Sequence, residues 1–273
     1  MGLAVFVAWE LTDEHPVVDI RLFAGRNFAF GAATLAIAYG LFFGNVVLLP
    51  LWLQQYMGYT ATAAGMALAP VGVLAIVLTP VVGRNVAKWD PRWMATGAFI
   101  LFSVVLWMRS NFTSDTDFRT ILIPTFIQGG AMAFFFIPLT TITLAGLPPE
   151  RIPAAAGLSN FVRITLGAMG TSIATTLWDN RATMHHEHLV EQMGLNGTAL
   201  EGATAALGQA GIGGNAAYAS VNRLIDIQAF TKAADDIFIA SAITFLFLII
   251  TIWFTKRPPR IAGAPSVDAG GAH

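Results

Sequence analysis

Residues 121–179 decide the fold: ILIPTFIQGGAMAFFFIPLTTITLAGL (121–147), PPERIPAAAG (148–157) and LSNFVRITLGAMGTSIATTLWD (158–179). Two apolar runs, each about twenty residues or longer, flank a short turn that carries prolines, one acid and one base. That is the length a helix needs to cross a hydrocarbon core of roughly 30 Å. The second run contains a single cation, Arg163. A guanidinium at membrane depth costs at least ~2.5 kcal/mol, so such a residue is a functional candidate by default. Asn160, Arg163, Gly167 and Gly170/Thr171 recur at helical spacing and share one face. Lipid would reject that face, which is expected to point into a bundle or a cavity.

The rest of the chain agrees with a membrane protein. Hydrophobic residues make up 55% and charged residues 11%, against ~25% charged in a soluble domain. The formal net charge of −1 and the lack of a basic run give no sign of nucleic acid as a partner. With no cysteine there is no disulfide, thiolate metal site or cysteine nucleophile. No glycine-rich phosphate loop is present, so ATP is not the energy source within this chain, no cofactor is implied, and the sequence does not read as an enzyme. Met1–Trp9 lacks the basic start of a signal peptide. It is too short to span, and is expected to be the end of a truncated helix whose start is missing.

The expected fold class is all-α integral membrane, with six complete transmembrane helices after that truncated one. Residues 1–27 form the truncated end and a polar connector. The bundle occupies 28–254, with spans at about 28–53, 61–82, 93–108, 121–146, 157–178 and 237–254. A long polar loop fills 179–236, where Val221, Leu224, Ile225 and Gln228 hint at a surface helix, and 255–273 reads as a disordered tail. Pro70, Pro80 and Pro138 are expected to bend their helices. Gly40 and Gly44 carry GxxxG spacing, which permits close helix approach.

Basic residues set the orientation. Arg21, Arg26, Arg84, Lys88, Arg92, Arg151, Lys256, Arg257 and Arg260 all fall on one side, which is therefore cytoplasmic. The long loop then faces the periplasm or exterior, and the chain is expected to be a multi-pass membrane protein.

GLPPERIPAAAGLSNFVRITLGAMGTSIATTLWDNR resembles the late helices of the EmrB-type multidrug exporters, in the fourteen-helix drug:proton antiporter branch of the major facilitator superfamily. WELTDEHPVVDIRLFAGRNF and GYTATAAGMALAPVG extend the resemblance over nearly the whole chain. It implies the C-terminal helical bundle of a major facilitator superfamily transporter, the second half of a proton-driven multidrug efflux antiporter linked to antibiotic resistance. The implied partners are small lipophilic drugs and protons, the lipid bilayer and the N-terminal half of the same transporter. Beyond those come a periplasmic adaptor protein and an outer-membrane channel, with the long loop as a docking surface. A specific exporter of a siderophore or fatty acid, or a non-transporting membrane fragment, stands as the alternative.

Several residues are singled out against plainer roles. The loop GRNVAKWDPRW resembles the superfamily's second charged loop, in which Gly83, Arg84, Lys88, Asp90 and Arg92 would latch one state; ordinary positive-inside anchoring explains the same charges. Ala87 stands where a fuller copy carries an acid. Arg163 either lines the cavity or snorkels to the interface. Gln128, Phe134, Phe135, Phe136, Thr140 and Asn160 complete the cavity candidates, an aromatic and neutral polar lining suited to lipophilic cations. His185-His186-Glu187-His188 invites a metal site, but the zinc-protease spacing needs a histidine where Val190 stands. All sixteen acids and all five histidines fall outside the expected spans. The proton-carrying group that an antiporter needs is therefore expected in the other half.

Overall fold

The computed structural model describes residues 19–86, 88–195 and 197–256. Met1–Trp9, the connector as far as residue 18, Ala87, and the tail from 257 with Arg257 and Arg260 lie outside the described residues. Among the described residues nine α-helices follow one another: α1 (Arg26–Gln55), α2 (Ala61–Leu68), α3 (Pro70–Asn85), α4 (Pro91–Arg109), α5 (Phe118–Ala133), α6 (Phe136–Leu144), α7 (Ile152–Leu195), α8 (Gly197–Gln209) and α9 (Asn215–Trp253). Short 3-10 turns at Ile20–Ala24 and Pro149–Arg151 precede α1 and α7.

Local chemistry sets the ends. Thr60, Asp90 and Asp117 cap α2, α4 and α5 with side-chain oxygens that accept backbone N–H groups, satisfying donors that a helix start leaves free. The prolines act as expected at two places. Pro70 opens α3 and divides the 61–85 stretch into α2 and α3. Pro138 has no N–H to offer the carbonyl four residues back, and the helix breaks there, at Phe134–Phe135 between α5 and α6.

Among the described residues five stretches are long and apolar enough to cross a membrane: Arg26–Gln55, Ala61–Asn85, Pro91–Arg109, Phe118–Leu144 and Asn215–Trp253. The sixth expected span, 157–178, is helical within α7 but is not among them. Ser159, Asn160, Arg163 and a run of threonines dilute its apolar character. It is held instead between α1 and α9, against both of which it packs.

Glycine makes that packing possible. A Cβ added at Gly170 would lie 2.3 Å from the Gly40 carbonyl oxygen, and one at Gly44 would lie 2.8 Å from the Ala174 Cβ. The α1 and α7 backbones touch, as small-residue membrane interfaces allow. Elsewhere the core is aromatic. Phe102 stacks on Phe245 at 5.0 Å and meets Phe135 edge-on at 5.4 Å and Phe42 at 5.9 Å, the offset and edge geometries that rings prefer. Hydrogen bonds fasten α1 to α9: Thr34 to Thr251 (2.7 Å), Asn45 Nδ2 to Ser241 (3.0 Å) and Trp52 Nε1 to Thr231 (3.0 Å). The Ala61–Asn85 stretch, by contrast, is largely exposed, with Met66, Val73, Ile76, Val77 and Val81 facing outward.

The region 179–236, expected as a loop, is helical. α7 continues through Trp178 to Leu195, α8 follows, and α9 begins at Asn215. The expectation ended each helix where its hydropathy fell. Losing apolar character does not stop a helix when no Gly or Pro intervenes between Asp179 and Met193 and helix-favouring residues continue. The two extensions pair: Trp178 Nε1 donates to the Phe230 carbonyl (2.9 Å), His186 Nδ1 meets Asp226 (2.9 Å) and His185 Nε2 meets Asp236 (2.9 Å). Val221, Leu224, Ile225 and Gln228 all belong to α9.

Candidate functional site

Arg163 turns toward its own bundle. Its guanidinium lies 4.8 Å over the Tyr39 ring of α1 and its Nη2 donates to Asn160 Oδ1. Tyr39 in turn meets Phe136 of α6 edge-on at 5.7 Å. Beside them a cavity of about 400 Å³ is lined by Leu35, Thr140, Leu144, Ser159, Asn160 and Arg163. Arg163 Nε is buried and finds no hydrogen-bond partner among the described residues. The shared polar face of α7 thus divides in two. Its first turns, with Asn160 and Arg163, line the cavity. Its later turns, with Gly167 and Gly170, are small so that Tyr39 and Gly40 can approach.

The remaining candidates scatter. Phe135 is fully buried in the aromatic core; the Pro138 break aims it inward. Phe134 points the other way, into a space of about 680 Å³ that it shares with Lys88, Asp90 and Trp93. Gln128 is buried against Arg109, whose Nη2 donates to its Oε1 at 2.6 Å, in a third cavity of about 320 Å³. Only Thr140, Asn160 and Arg163, with Phe136 behind Tyr39, come together.

The charged loop also divides. Gly83 and Arg84 are exposed and lie inside α3, and Lys88 is exposed. Asp90 caps α4 and pairs with Arg92 (Nη2 to Oδ2, 3.0 Å). Arg92 Nη1 donates to the Thr255 carbonyl (3.2 Å) just past α9, and its guanidinium lies 5.2 Å over Trp253. A cation at a helix C-terminus meets the negative end of the helix dipole. Asp90 and Arg92 therefore tie the loop to the end of α9.

Sequence reasoning missed Tyr39, which carries the cation–π contact, and Arg109, which lies one residue past the expected 93–108 span. The available signal for Arg109 was a cation directly at the end of an apolar run, with no acid nearby on its own helix. Asp226, Asp235 and Asp236 stand in α9 rather than in a loop, and Asp235 has a buried oxygen without a partner among the described residues. Among the described residues no three His, Asp or Glu side chains gather as a metal ion would require.

Among the described residues, apolar helices long enough to cross a membrane pack beside an arginine-lined cavity, and sequence comparisons identify the family. The model of the Major Facilitator Superfamily matches residues 5–171. The chain belongs to the major facilitator superfamily. As a member of that transporter family it is a multi-pass membrane protein. Over its full length it is 44% identical to the multidrug export protein EmrB of Escherichia coli K12, covering 53% of that protein, and the match falls on the C-terminal half. It is 41% identical over 94% of its length to EmrB of Haemophilus influenzae, covering 50%. It is 38% identical over 96% of its length to the fatty acid resistance protein FarB of Neisseria gonorrhoeae, covering 52%. The chain spans about half the length of these curated relatives.

Proposed function

We propose that this superfamily member is the C-terminal half-bundle of a proton-driven efflux transporter that carries lipophilic compounds, unaltered, out across the inner membrane. The observation that carries the reading is the Arg163–Tyr39 pair at the mouth of the α1–α6–α7 cavity. An arginine held by the Tyr39 ring and by Asn160 toward its own bundle supports the cavity-lining role over snorkelling to an interface. Full-length similarity to multidrug export proteins supports the drug class. Alternating access in this fold is the rocking of two halves around a site at their interface, so one half offers one wall of that site.

Proton coupling is assigned to the N-terminal half. Apart from Asp226, Asp235 and Asp236, which stand in α9 before its apolar run begins at Ile237, every described carboxylate lies at a helix end, in a turn, in α8 or in α7 past Trp178. A periplasmic adaptor and an outer-membrane channel remain the proposed downstream partners, with the paired α7 and α9 extensions as the docking surface. Gly83, Arg84 and Lys88 form the free side of the proposed cytoplasmic gate, and Asp90 and Arg92 its anchored side. The test is ethidium efflux in proteoliposomes. The chain alone should transport nothing, and proton-dependent efflux should appear when the N-terminal half is co-reconstituted. Efflux by the chain alone that collapses with the proton gradient would overturn the reading.

A further inference from the structure

Arg109 is 1% exposed, and among the described residues no carboxylate lies within ion-pair distance of it. A guanidinium keeps its charge when buried, and a buried charge is normally paired. The partners it does have are neutral: Gln128 Oε1 at 2.6 Å and Thr125 Oγ1 at 3.4 Å, both from Nη2. Its Nε has no acceptor among the described residues. The guanidinium lines a cavity of about 320 Å³ between α1, the α2–α3 break, α4 and α5. That volume falls at the lower end of the ~300–1,000 Å³ range of ligand sites. The other walls are apolar, with Val46, Leu49, Leu68 and Met132 among them. On the α1 wall Asn45 turns its Nδ2 to Ser241 and to the Leu41 carbonyl, which leaves its Oδ1 buried and without a donor.

We infer that this cavity is a binding site for the head of a lipophilic carboxylate, with Arg109 as its anion anchor. Arg109 supplies fixed positive charge and a free N–H, Gln128 holds the guanidinium in place, and the aliphatic walls take the first carbons of a chain. Charge-assisted pairing of arginine with a carboxylate is the strong, directional contact such a site can offer. This site is separate from the Arg163 cavity, and the two differ in kind. Arg163 is covered by an aromatic ring and part-exposed, whereas Arg109 is fully buried and has no acidic partner among the described residues. Treating the bound carboxylate as cargo rests on the export reading; the existence of the site does not.

Binding is therefore measured without transport, on the chain in phosphatidylcholine nanodiscs, using radiolabelled laurate, methyl laurate and dodecylamine as probes. Laurate should bind saturably and at least tenfold tighter than the ester or the amine. Arg109→Gln should reduce laurate binding about tenfold and leave methyl laurate unchanged, while Arg109→Lys should keep the preference for the acid. Leu68→Trp, which fills the cavity from the other side, should weaken laurate and ester alike. If Arg109→Gln fails to fold, the acid-to-ester ratio of the unaltered chain and its thermal stabilisation by laurate still decide the matter. Equal binding of acid and ester would show a cavity that is merely hydrated and would overturn the inference. So would a preference for acid that survives Arg109→Gln.

Discussion

Replacing Gly170 by alanine adds one methyl group where two helices already touch. Its Cβ would stand 2.3, 2.4 and 2.5 Å from the oxygen, Cα and carbonyl carbon of Gly40. All three are backbone atoms, so no side chain can rotate away. Relief requires α1 and α7 to separate by ~1 Å, and a gap of that size forfeits up to about half of each contact's attraction along the seam. Overpacking of this kind costs about 3 kcal/mol. Gly157 lies on the same helix, and a Cβ there meets nothing within 4 Å. The same substitution at Gly157 should be neutral or stabilise by up to ~1 kcal/mol, since glycine is a poor helix former. Unfolding in mixed micelles by rising SDS mole fraction, followed by tryptophan fluorescence, compares the two directly. Gly40→Ala combined with Gly170→Ala should cost less than the sum of the singles, because one separation relieves both clashes. Equal midpoints for Gly170→Ala and Gly157→Ala would refute the close approach.

Other outcomes are expected together. Single cysteines at Ser114 and Gly197 should react with an impermeant thiol reagent from outside sealed cells and one at Arg151 should not, against a background with no native cysteine; labelling at Arg151 would invert the orientation. In the co-reconstituted transporter Arg163→Ala should abolish export at near-normal membrane levels, and Arg163→Lys should rescue poorly because an ammonium does not stack on Tyr39 as a planar guanidinium does; unchanged efflux would reduce Arg163 to an anchor. The Asp117 carboxyl is held below its ordinary value by hydrogen bonds from the Thr120 side chain and backbone. A depressed folded value means its stabilisation is present above the ordinary carboxylate range of about 3.9 and is lost as pH falls through the lowered value. Wild type should therefore lose stability there relative to Asp117→Ser, whose cap does not titrate, and parallel acid profiles would sink this account.

Hydropathy and spacing carried the fold a long way. Five of six spans were legible because apolar length is a property of the sequence alone, and Pro70 and Pro138 marked the breaks because a missing N–H acts locally. The Arg163 face was legible for the same reason: residues three and four apart share a side of a helix whatever surrounds them. Arg109 was not. Its importance lies in what is absent around it, a carboxylate that α5 does not bring, and that is a fact of tertiary contact. Phe134 and Phe135 were indistinguishable in sequence, yet the Pro138 break sends one outward and one into the core. The extensions of α7 and α9 were read as loop because hydropathy reports the environment of a helix and does not report its end.

Those extensions have a mechanical consequence. From Trp178 to Leu195 the continuous helix runs ~26 Å at 1.5 Å per residue, and α9 runs alongside it, fastened by Trp178, His185 and His186. A mast rooted in the bundle without a hinge must turn with it. A rigid-body rotation on the order of 15° would sweep its tip sideways by ~7 Å, while side chains near the pivot move by a fraction of that. The far end of the mast is therefore where rocking of the bundle is largest and easiest to record, and any molecule resting there would feel each half-cycle as a push.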